Sequence, residues 1–226
     1  MDNTTSHRAV DYEAEVARTI PFHGEILDQA VDAALATHAK PARWLDTGCG
    51  PGRLVEKARA LCAAEFSLAD PSPAMLAIAR ARHPDIPEAR FHEARSDNLP
   101  DAGPFDVITA IQCHHYYENE AGRARAVARC FALLAPGGVF VAFENVRAAT
   151  PAGGAIARTR WSTWLRGQGR SEPAVEAQLA REGTHFFPIR VDQHERILGS
   201  AGFATVELIW RAYSQAGFLC VKGSPV

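Results

Sequence analysis

The segment Asp46-Thr47-Gly48-Cys49-Gly50-Pro51-Gly52 joins an acidic residue to three glycines spaced two apart. Glycines in such a turn adopt backbone angles that a side chain forbids and let the chain pass close to a ligand. A helix that follows presents free N–H groups to that ligand. Asp70 stands twenty residues after Gly50, the distance at which an acidic residue accepts hydrogen bonds from two ribose hydroxyls. Turn and acid together point to an adenosine-containing ligand; the competing reading makes Asp70 a helix cap before Pro71-Ser72-Pro73. A second group of reactive side chains runs from Gln112 through His114, His115, Tyr116 and Tyr117, with Glu144-Asn145 further on. A histidine there could act as a general base. Alternatively one histidine packs on a sheet and the other caps a loop. Cys113-His114-His115 resembles a metal ligand set only superficially, because neighbours along a strand point to opposite faces and no second ligand pair has suitable spacing. No metal is expected.

These residues need a scaffold, and the hydrophobic rhythm supplies one. Residues 1–8 read as a loose tail. Asp11 to about Ala36 is helical, with a break near Ile20-Pro21, since proline cannot continue a helix. Residues 43–46 then form a strand that runs into the glycine turn. Leu54–Ala64 is helical, 66–69 a strand ending at Asp70, and 72–82 a helix with Ser72 as N-cap and Pro73 in its first position. Short strands follow at 89–92 and 105–111. A helix over 120–134 stops before Pro136-Gly137-Gly138, and a fifth strand spans 139–144. Alternating strands and helices mean β-α-β units and a parallel sheet. Ligands in such sheets bind beyond the carboxyl ends of the strands, which is where the turn, Asp70 and the 112–117 group fall. Residues 147–190 break the rhythm with Trp161, Trp164, Arg158, Arg160, Arg166, Arg170 and several glycines, and read as an inserted helical lid. The alternation resumes with a helix over 191–200 and strands at 203–210 and 218–221 joined as a hairpin. The expected architecture is α/β: one Rossmann-like domain over 1–226, with a seven-stranded mostly parallel sheet, an antiparallel C-terminal hairpin, an N-terminal helical cap over 1–40 and the 147–190 lid.

Five segments carry a family resemblance. Residues 46–52 resemble the S-adenosylmethionine (SAM) motif of class I methyltransferases. Residues 69–76 are similar to that family's second motif. Asn98-Leu99-Pro100 with 105–108 resembles its acidic loop and fourth strand, and residues 133–138 and 201–203 resemble the turns into its last strands. A NAD-type turn would instead place its third glycine one position later. The resemblance implies SAM as cofactor and assigns roles. Asp46 would organise the turn and meet the methionine amino group, Gly48, Gly50 and Gly52 would pass beside the methionine half, and Asp70 would hold the ribose. Ser96 and Asp97 would edge the adenine, although Arg95 stands where the family often has an acid. Gln112 would follow at the backbone contact after the fourth strand, beside Ile111. Tyr12 would shield the sulfonium by cation–π contact and Arg18 would grip the methionine carboxylate, the alternative for both being an amphipathic helix surface. The catalytic candidates are His114, His115, Tyr116 and Asn145. Trp161, Trp164, Phe186, Phe187 and Tyr213 could line an acceptor pocket or simply be core. Residues 18–22 and 191–203 are also similar to segments of carboxy-SAM synthases. There the family's carboxylate-holding basic residue aligns with Ile197, with Arg196 one position away.

Composition bounds the rest. A 226-residue chain with 47% hydrophobic and 22% charged residues can bury a sizeable core. A net charge of −2 argues against a dedicated nucleic-acid partner, so the arginines of the insert read first as a solvated helix face. No apolar run approaches the roughly 20 residues of a spanning helix. The five cysteines form no C-x-x-C pair, and reduced thiols together with a polar N-terminus fit a cytoplasmic protein. The functional expectation is methylation of a small-molecule acceptor. The alternatives are displacement within SAM giving methylthioadenosine, carboxy-SAM-type chemistry, and a SAM-binding module acting through a partner. Oligomeric state stays open, and 147–190 could form a homodimer contact instead of a lid.

Overall fold

The computed structural model describes residues 7–223, so most of the tail expected over 1–8 lies outside the described residues. The glycine turn is held by a seven-stranded sheet in the order β3-β2-β1-β4-β5-β7-β6. Its strands are β1 (Arg43–Thr47), β2 (Glu65–Ala69), β3 (Phe91–His92), β4 (Phe105–Ile111), β5 (Leu134–Asn145), β6 (Thr205–Ala212) and β7 (Gln215–Val221). Strands β1 to β5 pair in parallel, whereas β7 runs antiparallel to both β5 and β6. This is the Rossmann-like α/β arrangement.

Side chains alternate across each strand, and both faces are covered. Trp44, Val107, Val139, Val141 and Phe143 point to one face, where α2 (His23–Thr37), α3 (Arg53–Arg59) and α4 (Pro73–Arg82) pack. Leu45, Ile108, Phe140 and Ala142 point to the other, against α5 (Glu120–Leu133) and α8 (Val191–Ser200). Burial on both faces is why these strands read as continuous apolar runs. The helix starts follow their caps: Ser72 Oγ accepts from Met75 N at 3.2 Å, and Asn119 Oδ1 accepts from Gly122 N at 2.8 Å.

Several boundaries differ from expectation. Helix α3 ends at Arg59 rather than Ala64, because Leu61 N and Cys62 N both turn back to Ala58 O and leave Leu61 exposed. Residues 88–90 form a single 3-10 turn that shortens β3. Strand β5 begins at Leu134 rather than Val139. Its Pro136-Gly137-Gly138 segment stays attached through Gly137 N to Lys222 O and Lys222 N to Gly138 O, while Lys222 Nζ caps the end of α5 at Phe131 O and Leu134 O. The break at Ile20-Pro21 separates α1 (Tyr12–Ala17) from α2.

The 147–190 segment holds α6 (Pro151–Gly167) and α7 (Glu172–Leu179), with a small core of Leu165, Val175 and Leu179 against Trp161 and Trp164. It is tied to the N-terminal helices. Trp161 Nε1 donates to Thr19 O at 2.9 Å, Arg18 donates to Gln168 O at 2.7 Å, and Arg170 pairs with Glu15 at 2.5 Å. Among the described residues no helix is long and apolar enough to cross a membrane.

Candidate functional site

The order of strands reverses beside β1, which lies between β2 and β4. Chains leaving the carboxyl ends of neighbouring strands diverge there and open a crevice. Gly48 and Gly50 leave β1, Asp70 leaves β2, Gln112 leaves β4, and Asn145 ends β5. Gly48 and Gly50 hold φ of +66° and +52°. A side chain on Gly48 would lie 2.3 Å from the Cys113 Cβ, while one on Gly50 would meet only Tyr12, at 3.9 Å across the cleft. The cleft is therefore a cradle that a Cβ would fill. The turn is braced from behind by His83 Nε2 at 2.9 Å from Gly52 O and by an Arg82 hydrogen bond to Pro51 O.

Two connected cavities run along this turn. One is lined by Asp70, Met75, Ser96, Ile111 and Tyr116; the other by Asp46, His23, Arg53 and Lys57. Gly48, Gly50, Tyr12 and Gln112 line both. Asp70 Oδ2 accepts from Gly50 N and Oδ1 from Ser72 N, both at 2.9 Å. The carboxylate thus ties the glycine turn to the start of α4 while facing the cleft. Burial raises its pKa against these two bonds. Asp46 accepts from Thr109 Oγ1 at 2.7 Å, and Thr109 in turn accepts from Trp44 Nε1 at 3.1 Å. Burial, opposed by the Thr109 bond and aided by the charge of Asp70, pushes Asp46 up to about 7. Ser96 Oγ lies 2.9 Å from Thr47 Oγ1.

A third cavity meets the other two at Tyr12 and Gln112, and is lined by His115, Asn145, Trp161, Arg181 and Phe186 among others. Gln112 is the junction. Its φ is +55°, and both atoms of its buried amide lack a partner. A strained residue with an orphaned buried polar group fits a position completed by a ligand. His115 is buried and its Nδ1 lies 2.9 Å from Glu144 Oε2. Glu144 also accepts His114 N at 3.0 Å and His115 N at 2.9 Å. Burial alone would raise Glu144, but the His115 hydrogen bond and the neighbouring histidines hold it well below the usual carboxylate range. Gln215 Nε2 donates to Asn145 Oδ1 at 3.3 Å, which turns Asn145 Nδ2 toward His115 Nε2 at 3.4 Å. The network therefore assigns the proton to Nδ1 and leaves a lone pair on Nε2. Arg123, fully buried, fixes the segment by donating to His114 O and Tyr117 O and to Phe187 O at 2.7 Å.

Tyr12, Asp46, Gly48, Gly50, Asp70, Ser96 and Gln112 thus meet along the crevice, and His115, Tyr116 and Asn145 meet in the adjoining chamber. Three candidates go elsewhere. His114 stacks on Phe140 at 6.1 Å and lines none of these three cavities; burial lowers it to about 4. Arg18 is spent on Gln168 and Glu15. Asp97 is held by Tyr117, whose hydroxyl donates to Asp97 Oδ1 at 2.8 Å and accepts Asp97 N, and it lines an open groove that shares Arg95, Tyr116 and Tyr117 with the Asp70 cavity. Arg53 and Lys57 line the Asp46 cavity instead, Arg53 paired with Glu56 and Glu13 and Lys57 with Asp28 at its rim. Their signal was position, since Arg53 directly follows Gly52 at the start of α3. Met75 and Arg181 were also missed, and only their distant neighbours mark them. Of the aromatics expected at an acceptor pocket, Trp161 and Phe186 reach the chamber, whereas Trp164 and the hairpin residue Tyr213 pack around Phe22. Among the described residues no group of three or more His, Cys, Asp or Glu is arranged to hold a metal ion.

Comparison with known proteins agrees with this geometry. Residues 45–138 match the family described as a methyltransferase domain. The chain is 29% identical over 223 residues to the carboxy-S-adenosyl-L-methionine synthase of Wolinella succinogenes, covering 94% of this chain and 90% of that one. It is 36% identical over 127 residues to a trans-aconitate 2-methyltransferase of Methylobacterium nodulans, covering 55% of this chain and 46% of the relative. Its fold is shared with SAM-bound CalS10, an amino pentose methyltransferase from Micromonospora echinaspora, at a TM-score of 0.64 and 19% identity over 96% of this chain and 98% of that one.

Proposed function

Because the chain is a SAM-dependent transferase with a class I methyltransferase domain, we propose that it transfers the methyl group of SAM to a nitrogen or oxygen of a small-molecule acceptor. The observation that carries this reading is the pocket beside the cofactor cleft, with His115, backed by the buried Glu144, on its wall and Gln112 at the junction. The cradle fits the cofactor. Asp46, Arg53 and Lys57 would hold its amino-acid end, Asp70 its ribose, and Ser96 the adenine side. When bound, SAM supplies a methyl carbon that leaves its sulfur, the electron pair of that bond staying on sulfur to give S-adenosylhomocysteine. His115 Nε2 gives up its bond from Asn145 Nδ2 and takes the proton from the attacking atom of the acceptor. Glu144 stabilises the resulting imidazolium through Nδ1–H, and Asn145 keeps the ring oriented. Gln112 and Tyr12 align the acceptor with the cleft, while the insert acts as a cover that excludes water. Positioning does much of this work, because the methyl group is already activated.

The similarity to carboxy-SAM synthase supports a second reading, in which SAM itself is altered. Against it, Ile197 is buried in the core and Arg196 is exposed and paired with Glu120 at 2.7 Å. Neither offers a charge to the cleft.

A panel of small metabolites incubated with protein and SAM tests the proposal by release of S-adenosylhomocysteine. With an accepted substrate, His115→Gln should lower kcat about a hundredfold and leave SAM affinity unchanged. Unchanged turnover would remove His115 from the chemistry.

A further inference from the structure

We propose that the acceptor is a carboxylate, held in the third cavity by Arg181; the inference rests on the methyl-transfer reading and specifies its substrate class. Arg181 follows α7 and is half-buried on the wall of the chamber. Its backbone is fixed by a tight turn, since Arg181 O accepts from Thr184 N at 3.1 Å and from His185 N at 2.8 Å. Four arginines of α6 and the turn after it are engaged. Arg158 reaches Leu179 O, Arg160 lies 4.3 Å over the Tyr213 ring, Arg166 pairs with Glu172, and Arg170 pairs with Glu15. Arg181 forms none of the ion pairs found among the described residues; partial burial disfavours its charge, and Tyr116 beside it opposes that only in part.

A guanidinium withdrawn from water without an anion is costly, and its planar fork matches a carboxylate. The rest of the chamber is chosen for a flat or unsaturated body. Trp161 and Phe186 meet edge to face at 6.3 Å, with Val16 and Ile20 beside them. Thr19 is buried there, but its hydroxyl already donates to Glu15 O at 2.8 Å. Among the described residues no carboxylate lines the chamber, and Glu144 lies behind His115 and hydrogen-bonds to it. An acid held at Arg181 can extend past Tyr116 toward Gln112, with His115 beside its nucleophilic atom.

Calorimetric titration of the protein saturated with S-adenosylhomocysteine tests this with benzoate and its neutral isostere benzamide. Benzoate should bind at least about tenfold more tightly, as expected of a charge-assisted pair. Arg181→Gln should abolish that preference, Arg181→Lys should keep part of it, and neither should change the affinity for S-adenosylhomocysteine, which reports an intact fold. Equal affinities, no binding of either probe, or a preference that survives Arg181→Gln would overturn the proposal. Failure of methyl transfer itself would look different: SAM would be consumed to methylthioadenosine while the benzoate preference stayed.

Discussion

Gln112 carries a left-handed backbone and an amide with no partner inside the protein. Each feature costs stability, and both lie where three cavities join. Replacement by glycine removes the strain and the orphaned amide. Gln112→Gly should therefore melt no lower than the parent in the absence of ligand, yet bind SAM more weakly; calorimetry on both proteins measures the two effects. A loss of stability with unchanged binding would make Gln112 purely structural. Asp46 behaves differently, because its folded pKa is raised to about 7. A raised carboxyl favours the folded state below its unfolded pKa, and that contribution fades as pH rises through the folded value. Without ligand the protein should thus lose stability between about pH 4 and pH 7 from this group. The cationic amino group of SAM would pull the pKa back down, so binding should release a proton and weaken as pH falls below about 7. Titrations in buffers of different ionisation enthalpy would detect the release; Asp46→Asn should abolish it.

The elements around the cleft show where sequence reading succeeds and fails. The break at Pro21 and the cap at Ser72 are local, so their residue types announce them, whereas the hairpin was legible only as two strands and its turn falls at Tyr213-Ser214 rather than across the expected 211–217. Roles carried by distant partners are not announced. Arg18 was expected at the cofactor but donates to Gln168, 150 residues away. Arg181 and Met75 reach the cavities only through tertiary packing. His114 and His115 are adjacent in sequence, and only the position of Glu144 decides which one faces the chamber. The ties from Trp161 and Arg170 to the segment before Pro21 suit a cover formed jointly by α1, α6 and α7. Arg170→Ala removes the Glu15 pair and the bond to Thr19. Hydrogen exchange over residues 12–20 should then accelerate several-fold and SAM affinity should fall a few-fold, while exchange in β1 and β4 stays slow. Uniform acceleration through the sheet would instead mean global destabilisation.

At the scale of the whole molecule, the sheet was legible because its period is simple. Burial on both faces makes apolar runs, and glycine turns punctuate them. The parallel order and the antiparallel hairpin follow from those runs and short connections. What stayed illegible was the set of cavities, since a cavity is defined by residues that the fold brings together from α1, the strand ends and the insert. The methyl-transfer account predicts one outcome most directly. With methyl-labelled SAM and a panel of small carboxylic acids, the label should appear on one of the acids, matched by an equal amount of S-adenosylhomocysteine, and both should vanish in His115→Gln. Label retained in methylthioadenosine, or in a carboxylated form of SAM, would contradict the account.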